Sequence, residues 1–82
     1  MDYDQDKVDE AALALLFLTL GAPGPGRAWK CLDWDVSDRL FKKDLISDPR
    51  GKAKSVMLTE EGEKRCKELF EKLFGRHNRE LL

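Results

Sequence analysis

Six basic residues stand close enough together to form a ligand-holding surface: Arg39, Lys42 and Lys43, then Arg50, Lys52 and Lys54. Cations at this density suit phosphate. Each neutralised phosphate releases condensed counterions, so binding to double-stranded DNA would weaken steeply with salt. Arg27 and Lys30 lie just upstream and could extend the surface. The same region also carries Asp33, Asp35 and Asp38, which a phosphate-lined groove would repel. Of the side chains that read base edges, only Arg39 is at hand. Other chemistry finds little support. Cys31 and Cys66 are far apart without a CxxC pair, and the single His77 does not complete a zinc site. Both cysteines read as small apolar core residues in a reducing compartment. Cys31, near Arg27 and Lys30, could carry a lowered pKa, but no base is in sight. There is no Ser/His/Asp set, glycine-rich phosphate loop or metal cluster. The expectation is therefore no enzyme, no cofactor and no metal.

The elements that must position these residues can be read from periodicity and caps. Asp4 to Leu20 reads as a helix, with Asp4, Asp6 and Asp9 near its positive end. It carries two apolar stripes, Val8/Ala12/Leu15/Leu16/Thr19 and Leu13/Leu16/Phe17/Leu20. Such a helix is buried on more than one side. Either the rest of the chain covers both stripes, or Leu13, Phe17 and Leu20 meet a second copy or another protein partner. Gly21 to Gly26, rich in Gly and Pro, ends the helix. Arg27–Cys31 reads as one or two helical turns anchored by Trp29, with Trp29 and Trp34 either core aromatics or platforms for stacked bases.

A second full helix is expected from about Trp34 to Lys43, capped by Asp33. Leu45-Ile46-Ser47 and Ser55-Val56-Met57-Leu58 read as the strands of a β-hairpin. Asp48-Pro49-Arg50-Gly51 has the residue preferences of a type I turn between them. Thr59 then caps a last helix with the stripe Gly62, Cys66, Leu69, Phe70, Leu73 and Phe74, ended by Gly75. Residues 1–3 and 76–82 read as flexible ends.

The 82 residues make one domain with a small core, which a dimer partner would help to stabilise. Hydrophobic residues at 41% and charged residues at 38% are compatible with a folded chain. The net charge of −1 hides an asymmetry: residues 1–26 sum to −4 and residues 27–58 to +3, the remainder being neutral. Any anion-binding surface must then lie in the middle third. The apolar run Ala11–Leu20 is ten residues, too short to span a bilayer. Acids precede it where a signal peptide has bases, so a cytoplasmic protein away from membranes is expected.

A helix pair followed by a β-hairpin and a further helix is the order of a winged helix-turn-helix, a mainly α, α+β fold. The run Arg39-Leu40-Phe41-Lys42-Lys43-Asp44-Leu45-Ile46, a basic wing and Val56-Met57-Leu58-Thr59-Glu60-Glu61-Gly62 resemble the MarR and PadR types of winged-helix regulator over about residues 34–66. The chain departs from their pattern at Asp44, where those families carry Gly. If the register is right, Asp44 has φ > 0. Gly62 either permits a close approach of the hairpin or first helix, or is a Gly merely tolerated near a helix start. Nearly the full length, from Met1-Asp2-Tyr3-Asp4 through Gly26-Arg27-Ala28-Trp29-Lys30 to Leu58-Thr59-Glu60-Glu61-Gly62, is similar to a small bacterial family of domains of unknown function. That resemblance implies no activity. Two functions follow from the residues: a protein-interaction or regulatory adaptor working through the first helix, and a DNA-binding transcriptional regulator using helix 34–43 and wing 50–54.

Overall fold

The computed structural model describes residues 1–30 and 32–76. Cys31, His77 and all but Arg76 of the expected C-terminal tail lie outside the described residues. The elements run α1 (Gln5–Leu15), a 3-10 turn (Leu16–Thr19), β1 (Arg27–Trp29), α2 (Trp34–Lys42), β2 (Ser55–Met57) and α3 (Glu60–Phe74). The fold is mainly α with a two-stranded antiparallel sheet, the expected α+β class and in keeping with a small winged-helix-like fold.

Each helix begins where a short polar side chain can take up orphan amides. The Asp4 carboxylate accepts from the Asp6 and Lys7 amides at 3.0 and 3.2 Å. Asp33 accepts from Asp35 at 3.1 Å, and the Thr59 hydroxyl accepts from Gly62 at 2.9 Å. The first helix is shorter than its apolar run suggests. It tightens into the 3-10 turn at Leu16, and Gly21, at φ 91°, redirects the chain. Gly75 ends α3 with an extended backbone (φ −68°, ψ 143°), so the left-handed cap is absent there.

The main correction concerns residues 27–31. Arg27–Trp29 is a strand where helical turns are expected. Its partner is β2, in the register Arg27↔Met57, Ala28↔Val56 and Trp29↔Ser55. Three physical causes converge. Gly26 takes φ 72° and swings the chain into the strand. Ala28 and Val56 point together into the core. Arg27 crosses the sheet to donate to Ser55 Oγ at 2.8 Å. The hairpin strand 45–47 in turn shrinks to a single bridge, Ile46↔Leu58, supported by the Ser47 amide on the Met57 carbonyl at 2.8 Å. β2 therefore lies between β1 and Ile46. The outer edge of β1 is closed by the Thr19 hydroxyl on the Trp29 amide and by the Gly21 amide on the Arg27 carbonyl. This removes an open edge that could pair with another strand. Among the described residues only one helix, α2, stands between β1 and the hairpin, so the expected pair of helices before the wing is not found there.

The core gathers Leu13 and Leu16 from the first helical segment, Val36 and Leu40 from α2, and Cys66 and Leu69 from α3. Ala28, Leu45, Ile46, Val56 and Leu58 complete it. α1 packs chiefly on α3. At the junction before β2, Asp44 has φ 62°, the left-handed conformation anticipated for it. It aims its carbonyl at the Thr59 hydroxyl, 2.8 Å away, while the Thr59 amide donates to Leu45 at 3.1 Å. Gly62 lies directly against this junction: a Cβ there would sit 1.9 Å from the Leu45 carbonyl oxygen. Of the two readings of Gly62, close approach is the one found.

Candidate functional site

The six basic residues are not gathered into one free surface. Most serve the fold. Arg39 turns inward and grips Asp9 of α1, with Nε 3.0 and 2.8 Å from its two carboxylate oxygens and Nη2 2.8 Å from Oδ1. Lys43 adds a contact to Asp9 Oδ2 at 3.1 Å and another to Asp6 at 3.3 Å. Asp9 is only 1% exposed and its two cations reach it from the surface, so this is a half-buried ion cluster joining α1 to α2. Burial pushes the Asp9 carboxyl up, but the hydrogen bonds from Arg39 and Lys43 and their charges outweigh it and hold the pKa below 3.8. The hydrogen bond to Asp9 raises Arg39 and Lys43 in turn. Arg39, the one residue placed to read a base, is thus withdrawn from any groove.

The remaining cations are nearer solvent. Lys42 pairs with Asp38 one turn earlier at 3.0 Å. Arg50 binds Asp48 across its own turn at 2.9 Å and lies over the Phe41 ring. Lys52 and Lys54 are exposed at the tip. Lys30, upstream, clamps this tip from beneath: its ammonium donates to the Pro49 and Gly51 carbonyls at 2.7 and 2.9 Å. The wing is a built turn, and its charges are partly spent on building it.

The residues expected to form an interface divide differently. Leu13 is 1% exposed and belongs to the core, so it is corrected from interface to core. Leu20 packs against that core while partly buried. Their stripe is the one that faces inward, because it carries Asp9 and Leu16 with it. Phe17 is 38% exposed. Trp29 and Trp34, read as core or half-buried aromatics or as stacking platforms, are 41% and 56% exposed, so neither belongs to the core. Trp29 stands opposite to Ala28 on the outer face of the sheet, where Met57 is also exposed.

Phe17, expected at an interface, leads to the far end of the apolar stripe on α3. Its ring lies 4.7 Å from Phe70, and Phe70 lies 5.6 Å edge-on from Phe74. Phe17 and Phe70 floor an open groove of about 500 Å³ whose rim is Lys67, Glu71, Gly75 and Arg76. Leu73 and Phe74 stand exposed beside it. No local signal in the sequence marks it. α3 has 15 residues and its partner α1 has 11, so an apolar stripe running to the end of α3 outlasts the helix that covers it.

A second cleft, of about 350 Å³, lies between the three helices and is lined by Asp6, Glu10, Lys43, Glu61 and Arg65 above Leu13 and Leu69. Its charged groups are of both signs. Cys66 is fully buried, and burial pushes its thiol up to about 11, which leaves it protonated at neutral pH. Among the described residues, no group of three or more His, Cys, Asp or Glu is placed to hold a metal. No helix among them is long and apolar enough to cross a membrane.

Comparison with known proteins agrees with the full-length resemblance. Residues 4–76 match the family described as "Domain of unknown function (DUF6429)". The chain is 51% identical over 76 residues to "Uncharacterized protein y4hR" of Sinorhizobium fredii (strain NBRC 101917 / NGR234), an alignment covering 93% of this chain and 100% of that relative. No solved structure matches the chain.

Proposed function

The chain belongs to the DUF6429 family, and on that premise we propose that it is a small non-catalytic protein-interaction module. The observation that carries this reading is a contrast in how the surface is spent. Its best-placed cations are consumed inside the fold, Arg39 and Lys43 on Asp9, and Lys30 on the turn carbonyls. Its large apolar side chains, Phe17, Leu73 and Phe74, are left in water around a groove. A protein surface that keeps aromatics exposed and ties its charges down is suited to bury apolar area against another protein.

A DNA-binding regulator is the second reading, favoured by one observation: Arg50, Lys52 and Lys54 all lie exposed on the wing. Against it stand the three carboxylates Asp33, Asp35 and Asp38 at the start of α2, the end that normally approaches base edges. An amide NMR titration with a short generic DNA duplex decides between the readings. At physiological salt no cluster of shifts is expected on 34–43 or 50–54. Shifts there that fade as salt rises, and disappear when Arg50, Lys52 and Lys54 are changed to Ala, would overturn the interaction-module reading in favour of DNA.

A further inference from the structure

The groove on α3 has its own plug beside it. Phe17 and Phe70 form the floor, and Leu73 and Phe74 project from the same end of the same helix. A contact about a two-fold axis requires one surface to supply both the projection and the recess it fills. This surface does. Its rim also carries both signs, Lys67 and Arg76 against Glu71. A partner of one charge would meet repulsion on part of this rim. The same rim turned over in an antiparallel crossing sets Glu71 of each copy near the basic residues of the other. The other exposed apolar residues, among them Val8, Leu15, Leu18, Trp29, Trp34 and Met57, line neither of the two clefts described above.

We propose that this groove is the contact between two copies of the chain, Phe74 of each entering the recess floored by Phe17 and Phe70 of the other. The proposal rests on the interaction-module reading and names its partner. The apolar area on offer is on the order of a few hundred Å² per copy. That is less than the roughly 800 Å² per partner of a standard stable interface. The dimer is accordingly a weak, concentration-dependent one.

Sedimentation equilibrium on the full chain, from low micromolar to millimolar concentration, tests it. Wild type is expected to pass from monomer to dimer across that range. Phe74→Asp should raise Kd at least tenfold while keeping its helical circular dichroism, and Met57→Asp, on the sheet, should leave Kd within twofold. Glu71→Lys should weaken the dimer severalfold at low salt, and Lys67→Glu combined with Glu71→Lys should recover it, because both signs are then restored to the rim. The charge pair keeps the test open should Phe74→Asp unfold the chain. A wild type that stays monomeric throughout overturns the second-copy assignment but leaves the DNA titration to judge the module reading. A dimer that survives Phe74→Asp, or is lost in Met57→Asp, or is not recovered by the double reversal, overturns the assignment as well.

Discussion

At φ 62° Asp44 occupies a conformation that costs most L-residues energy and costs Gly nothing. Its side chain is exposed, so little is lost by removing it. Asp44→Gly should raise stability by about 0.5–1 kcal/mol, the strain relieved outweighing the added freedom of the unfolded chain. Thermal melts of the two proteins measure it, and a lower melting temperature would contradict it. Asp44 was legible through the resemblance to the winged-helix regulators, which carry Gly at that position, and Gly62 only as one of two readings, close approach or mere tolerance near a helix start. Asp9 was not. It stands among other acids at a helix start, where a carboxylate is explained by the dipole alone. The overlooked sign is its register, four and seven residues before Leu13 and Leu16, on the face that becomes the core.

Between elements, the Asp9 cluster is the polar pin that sets α1 against α2. Because the folded pKa of Asp9 lies below its unfolded value, its contribution is fully present above about pH 4 and is lost as pH falls through the folded pKa. Chemical denaturation followed against pH should show stability falling on the acid side, and Asp9→Asn should flatten that limb. At neutral pH, Asp9→Asn leaves the Arg39 guanidinium beside a neutral amide and should lower the denaturation midpoint. Asp9→Leu combined with Arg39→Met removes both charges and should cost less than the single change. At this scale the sequence announces helices and caps well, and strand pairing poorly. Arg27-Ala28-Trp29 offers a single inward residue, Ala28, too short a stretch for alternation to be seen. Its partner Val56 stands 28 positions away, and nothing local to either strand names the other. The short hairpin strand was legible from its turn, yet only Ile46 of it pairs as a bridge, since β2 has most of its ladder with β1.

Across the whole molecule, stability is stored between parts that are distant along the chain. α1 packs mainly on α3, and the sheet joins residues on either side of α2. A chain ended after Thr59 should therefore lose more than its missing helix. Leu13 and Leu16 would face water where Cys66 and Leu69 stood, and circular dichroism should show α1 unformed as well. Retention of the α1 signal would mean that the sheet and α2 suffice to hold it. The exposed groove belongs to this scale too. It arises because two helices of unequal length are packed together, a relation no window of the sequence contains.

The packing of α1 on α3 also sets an order of events in the cell. A ribosome releases α1 before α3, so the apolar run from Ala11 to Leu20 emerges before the helix that it packs on most. Until α3 follows, part of that run is open to chaperones or to neighbouring nascent chains. During that interval the acidic residues that precede the run act as gatekeepers against aggregation.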